Sequence, residues 1–295
     1  MTKILNPIVY FGTDKLSSKP LRRLLEAGFN VSTIITKPDT RSGRGHKLVA
    51  PEVKTIGHSY GVEILQPQNL LGIREHIKGL NDPLGILVSF GKIVPQDIID
   101  LFPNGITNIH PSLLPKYRGP SPIETAILNG DSETGVSLMK LTAKMDAGPV
   151  FAQSSIALSG NETRDQLYDT LAELGTELLI DSLPDIASGT LKPTAQDDTQ
   201  ANYCYKFDRS MSELDVVKYT TDELLRQIRA FAGFPKSKLG FFGQDCIITI
   251  AHSGDTPTTE LDRKCKDGRY LVIDRLIPPG KKEMTAQDFL NGRLR

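Results

Sequence analysis

"PIVYFGTDKLSSKPLRRLLEAGFNVSTIIT", residues 7–36, decides the fold. Residues 7–12 are a short apolar run closed by Gly12, which reads as a buried strand. Leu16, Leu21, Leu24, Leu25 and Ala27 then recur at helical spacing over 15–27, and Gly28 stops the helix. Residues 31–36 are apolar again and read as a second strand. The pattern continues outward from this unit. A helix is expected over 51–60, opening with Pro51 at a first-turn position, followed by a short apolar segment at 62–65. Strands are expected at 84–90 and 106–109. Strands alternating with helices give a mostly parallel α/β sheet. Residues 135–141 and 149–158 alternate as antiparallel strands do, and a long helical pattern fills 163–187.

The character changes at "SGTLKPTAQDDTQANY", residues 188–203, which reads as a linker. Beyond it the spacing predicts a helix over 221–231 and short strands at 237–242, 245–252, 258–264 and 268–276, the pattern of a small barrel. The expected division is therefore a catalytic α/β domain at 1–188, a linker at 189–207 and a barrel-like domain at 208–295.

Bulk composition excludes several classes. The chain has 295 residues, 39% hydrophobic and 24% charged, as an ordinary folded protein does. Its 35 basic and 35 acidic residues cancel, so any nucleic-acid surface must be local. The three cysteines, Cys204, Cys246 and Cys265, lie far apart without a C-x-x-C pair, which argues against a disulfide framework or a zinc site. The first residues, broken by Asn6 and Pro7, do not read as a signal peptide, and no apolar run is long enough to span a membrane. A cytoplasmic location is expected.

The chemistry concentrates at "NIHPSLLPKYRGP", residues 108–120, just beyond a strand. In open α/β sheets ligands bind outside the carboxyl ends of the strands. Asn108 and His110 stand two apart in an extended segment, so they share a face. An amide and an imidazole side by side can hold a carbonyl oxygen that becomes an oxyanion. Pro111 and Pro115 stiffen the loop, and residues 112–115 could offer backbone groups to a flat polar ligand. A histidine after a strand is more often a structural hydrogen-bonder. In "KMDAGPVFAQ", residues 144–153, Asp146 stands in a turn, where an aspartate ordinarily bonds its own backbone. Were it to meet His110, it would hold the imidazole's tautomer and favour its charged form.

The stretch "NIHPSLLPKYRGPSPIETAILNGDSETGVSLMKLTAKMDAGPVFAQ", residues 108–153, resembles the signature of the folate-dependent formyltransferases. The Asn-x-His, Ser-Leu-Leu-Pro, Arg-Gly, Gly-Asp-x-x-Thr-Gly-Val and Asp-x-Gly elements occur in family order and spacing. The resemblance implies a Rossmann-like formyltransferase domain and, as co-substrate, 10-formyltetrahydrofolate, whose formyl group passes to an amine. It makes Asn108, His110 and Asp146 the catalytic trio. It places the folate against Val88, Ser89, Phe90 and Gly91, within "LVSFGKIVP" at 87–95, and against Ser112, Leu113, Leu114 and Pro115. Neither a covalent enzyme intermediate nor a metal is implied.

Family members differ in acceptor. Three features here resemble those acting on methionyl-tRNA in translation initiation. "TKPDTRSGRGHKLVAPEVK", residues 36–54, resembles the basic loop that grips an acceptor stem, with Arg41, Arg44 and Lys47 expected to face tRNA. Its Gly43 and Gly45 lack the third glycine and the leading strand of a dinucleotide fingerprint. A C-terminal, OB-like barrel follows the α/β domain, and residues 262–295 hold nine Lys or Arg against five Asp or Glu. "PPGKKEMTAQDFLNG", residues 278–292, resembles the family's closing segment. The chain departs from the family where Asp14-Lys15-Leu16 replaces the usual Pro-Asp-Phe, where no Trp stands in "AGFPKSKL" at 232–239, and where 255–265 is short. Transfer to an amino sugar or another small amine, hydrolysis of the donor, and a non-catalytic folate- or RNA-binding role are the alternatives. A monomer is expected.

Overall fold

The computed structural model describes residues 6–42 and 47–292. The chain divides into two compact units. The first takes the described residues through Gly119 together with Gly135–Ile156 and Tyr168–Tyr203; the second takes Pro120–Thr134, Ala157–Leu167 and the described residues from Cys204 onward.

The opening stretch folds as β1 (Ile8–Gly12), α1 (Lys15–Glu26) and β2 (Val31–Ile35). Next come the β3–β4 hairpin (Thr40–Ser42, Lys47–Val49), α2 (Glu52–Ser59), β5 (Glu63–Leu65), α3 (Arg74–Lys78), β6 (Leu84–Val88), α4 (Gln96–Ile99) and β7 (Ile106–His110). Then follow α5 (Pro122–Asn129), β8 (Glu133–Lys140), β9 (Val150–Ala157) and α6 (Arg164–Ser188). The seven-stranded sheet runs β5-β2-β1-β6-β7-β8-β9. Strands β5 through β7 are parallel, and β8 runs against β7. Ile8, Val9, Tyr10 and Phe11 are all sealed from solvent, so β1 is covered on both faces, as a continuous apolar run requires. The chain winds outward from β1 through β2 to β5 and returns on the other side through β6. The strand order thus reverses between β1 and β6, which places a crevice at their carboxyl ends.

Asp14 explains the departure after "FGT". Its side chain accepts from Leu16 N at 3.1 Å and caps α1. Its other oxygen takes a hydrogen bond from Ser89 Oγ. Partial desolvation at this crowded corner pushes the Asp14 carboxyl above its ordinary value, against the Ser89, Leu16 and Ser17 bonds and Lys37.

In the second unit α7 (Thr221–Ala230) opens with a capping box between Thr220 and Glu223. Strands β10 (Ser237–Phe241), β11 (Gln244–Gly254), β12 (Arg263–Lys264), β13 (Tyr270–Ile277) and β14 (Met284–Thr285) form an antiparallel, barrel-like sheet, closed by α8 (Ala286–Asn291). Register shifts between Ile248 and Ala251 bend β11 against β13. Leu224 and Ile228 of α7 join Phe241, Cys246, Leu271 and Phe289 in one core.

One expected strand is mostly a turn. Of 258–264 only Arg263–Lys264 is extended. Asp262 turns the rest, accepting from Thr258 N at 2.6 Å, Thr259 N at 2.8 Å and Ile273 N at 2.9 Å. A side chain that satisfies its neighbours' backbone groups removes their need for a ladder.

The compact units also divide the chain differently from the boundaries 1–188, 189–207 and 208–295. Thr194 and Val150 exchange both backbone hydrogen bonds at 2.8 Å, which fastens the expected linker into the first unit. Residues 120–134 join the second unit because Arg226 Nε donates to Leu128 O at 2.9 Å and Arg164 Nε to Glu124 at 2.7 Å.

Candidate active site

β7 lies between β6 and β8, with Asn108 opposite Leu87 and Met139, and His110 opposite Ser137. The two-residue period puts Asn108 and His110 on one face. Ile109 takes the other face, against Gly175 of α6, where a Cβ would come within 2.8 Å of Ile109. Asn108 and His110 are 6% and 5% exposed. No hydrogen bond to the Asn108 side chain occurs among the described residues.

His110 Nε2 lies 2.9 Å from Tyr117 O. A carbonyl oxygen only accepts, so Nε2 carries the hydrogen and Nδ1 is left to act. Nδ1 faces Asp146, 3.7 Å from its Oδ1. Asp146 does not bond its own turn. Its Oδ2 accepts from Gly119 N, 27 residues away, at 2.9 Å. Asp146 sits at φ +46°, in the left-handed region that aspartate tolerates better than most residues. The turn is tight beside it: a Cβ on Gly148 would lie 1.8 Å from Lys140 O, so only glycine fits. The structure thus joins His110 and Asp146 at the end of β7, with Asn108 two residues earlier on the same strand.

The two folate segments expected from sequence lie on the same unit but differ in what they offer. At the β6 end, Val88 and Phe90 turn into the core, and Phe90 meets Phe11 edge-on at 5.6 Å. Thr13 Oγ1 holds Phe90 O at 3.0 Å. Ser89 and Gly91 have φ of +44° and +68°, so the chain turns sharply where the strand order reverses, and Gly91 is exposed.

The 112–115 segment is not an open row of backbone donors and acceptors. Ser112 N is taken by His110 O and Ser112 Oγ by Lys116 O. Leu114 N donates to Ser137 Oγ at 3.0 Å, and Leu114 O accepts from Gln153 at 2.8 Å. The loop's polar groups hold its own shape. Leu114, itself buried, and Pro115 line a cavity of about 320 Å³ with Phe151, Gln153, Thr194 and Gln196.

Ser137, Gln153 and Gln196 were not singled out from sequence, and Arg118 was read only as part of the Arg-Gly element. Only Ser137, a polar residue in the otherwise buried run of β8, carried a local signal. The expected basic loop contains the β3–β4 hairpin: Arg41 pairs with Leu48 and is exposed, Lys47 pairs with Ser42, and Arg44 lies outside the described residues. Lys54 is engaged, bridging to Asp39 at 2.9 Å.

The chain belongs to the formyl transferase family, whose model matches residues 7–183. A curated methionyl-tRNA formyltransferase of Methylococcus capsulatus (strain Bath) is 36% identical over 96% of both chains. That of Alcanivorax borkumensis is 34% identical over 97% of this chain and 91% of its own. Among solved structures, the sugar 3N-formyltransferase WlaRD, determined with dTDP and 5-N-formyl-THF, has a TM-score of 0.71 at 19% identity, covering 94% of this chain and 99% of that one. An N-formyltransferase from Helicobacter canadensis gives 0.70 at 19% identity, covering 91% and 99%.

Proposed function

We propose that this chain transfers the formyl group of 10-formyltetrahydrofolate to the amino group of initiator methionyl-tRNA. The observation that carries the reading is the meeting of His110 and Asp146 at the carboxyl end of β7, with Asn108 two residues earlier on that strand, in a chain whose full-length relatives are methionyl-tRNA formyltransferases. The acceptor amine attacks the formyl carbon. Asn108 and the protonated Nδ1 of His110 stabilise the oxyanion. As the carbon–nitrogen bond to the folate breaks, the proton lost by the amine passes to the departing nitrogen. Asp146, beside Nδ1, orients the imidazole and takes part in that relay. Atoms balance without a covalent enzyme intermediate.

The loop at Val88, Ser89, Phe90 and Gly91, exposed at Gly91, and the edge at Leu113, Leu114 and Pro115 would hold the donor, with Ser112 shaping the loop from within. Arg41 of β3, Lys47 of β4 and Arg44, which lies between them in sequence, together with the basic C-terminal unit, would face tRNA phosphates. The enzyme works as a cytoplasmic monomer. Sugar-acting proteins share the fold at 19% identity, which favours no small-amine acceptor here. The test is formylation of charged initiator methionyl-tRNA, with uncharged tRNA, methionyl-elongator tRNA and donor alone as controls. Donor turnover without transfer to tRNA would redirect the search to small amines or water.

A further inference from the structure

We propose that Gln196, in the segment expected to be a loose linker, is a positioning residue that sets Asp146 against His110. The inference rests on the catalytic reading of that pair. Gln196 Nε2 donates to two carbonyls of the Asp146 turn, Asp146 O at 2.9 Å and Gly148 O at 2.7 Å. Its Oε1 accepts from Arg118 Nε at 3.0 Å. Arg118 has no acceptor of its own, so the amide has one orientation only.

Arg118 is the fixed point behind it. Its side chain is 2% exposed, the largest of the sealed side chains, and it reaches Asp198 at 2.7 Å and Tyr203 Oη at 3.4 Å. Its backbone N donates to Asn202 O at 3.0 Å. The residues on either side of Arg118 are the two that define the site's geometry: Tyr117 O receives His110 Nε2, and Gly119 N donates to Asp146 Oδ2. Tyr117 N in turn donates to Asn202 Oδ1 at 2.5 Å. Residues 194–203 therefore form a strap bonded at one end to the Asp146 turn and at the other to the His110 loop. Arg118 and Gln196 close the ring between them. A turn whose aspartate is at positive φ and whose carboxylate stands off the imidazole at 3.7 Å is held there by neighbours rather than by its own bonds.

The decisive variant is Gln196→Glu. It keeps size and the acceptor for Arg118 Nε, but it removes the donor and points an oxygen at two carbonyls. Formyl transfer to methionyl-tRNA is measured with wild type, His110→Ala and Gln196→Glu, with kcat, KM for the donor and Tm for each. Gln196→Glu is expected to lower kcat between about ten- and a hundredfold, the scale of a misplacement near 1 Å, while donor KM stays within about threefold. Wild-type kcat in a folded Gln196→Glu overturns the proposal, and so does a loss confined to KM. If Gln196→Glu does not fold, Asp198→Asn decides. Asp198 is 72% exposed, and loosening it weakens one of the bonds that hold Arg118 without burying anything new. A fall of about two- to fivefold in kcat alone supports the strap, and an unchanged kcat overturns it. Failure of the underlying reading looks different: His110→Ala would then retain full turnover.

Discussion

Two aspartates, each in a turn beside a strand, have opposite fates. Asp262 takes three backbone N–H groups and the hydroxyls of Thr258 and Thr259. Its acceptor capacity is filled by its surroundings, and it is 8% exposed. Asp146 takes one backbone N–H and turns its other oxygen toward His110 without closing to hydrogen-bond distance. The first carboxylate is part of the fold. The second keeps acceptor capacity in reserve. An aspartate's role is read from how many of its lone pairs the protein already occupies, and residue type and turn context do not distinguish the two.

Substitutions test this contrast directly. The largest effect is expected from His110→Ala, which should lower kcat by about 10² to 10⁴ while Tm moves by only a few degrees. Asp146→Asn should lower kcat by about tenfold to a hundredfold with little change in Tm, because the amide oxygen can still accept from Gly119 N. Circular dichroism melts alongside steady-state assays check both, and a large Tm loss in Asp146→Asn would make it a second Asp262.

Asp262→Asn should show the reverse: a loss of about 1–3 kcal/mol in stability, with folded protein turning over normally. Its pH dependence has a definite sign. Burial alone would push the Asp262 carboxyl up, but the N–H groups of Ile273, Thr259 and Thr258 bring it below the ordinary carboxylate range. Stability from such a group is present above the unfolded pKa and lost as pH falls through the lowered folded value. The deficit of Asp262→Asn, read as urea midpoints, should therefore close below about pH 4. A deficit that persisted unchanged there would mean that shape rather than charge is what Asp262 supplies.

The smallest effect tests the hairpin rather than the aspartates. Arg41→Ala should raise KM for tRNA a few fold and reduce the salt slope of tRNA binding by about one, with donor KM unchanged. An unaltered slope would remove Arg41 from the tRNA surface.

The sequence by itself determined the strand–helix alternation of the first unit, because periodicity is a local property that burial on both sheet faces enforces. It also determined that Asn108 and His110 share a face, since extended backbone has a two-residue period. Only the tertiary structure decided which partner Asp146 takes, that 112–115 satisfies its own backbone, and that 194–203 straps the site. Those facts rest on hydrogen bonds between residues such as Gly119 and Asp146, 27 apart, or Arg118 and Gln196, 78 apart. No local spacing encodes such pairs. They exist because a buried guanidinium, an amide and the turn at Asp146 must all find partners once the sheet has brought them together.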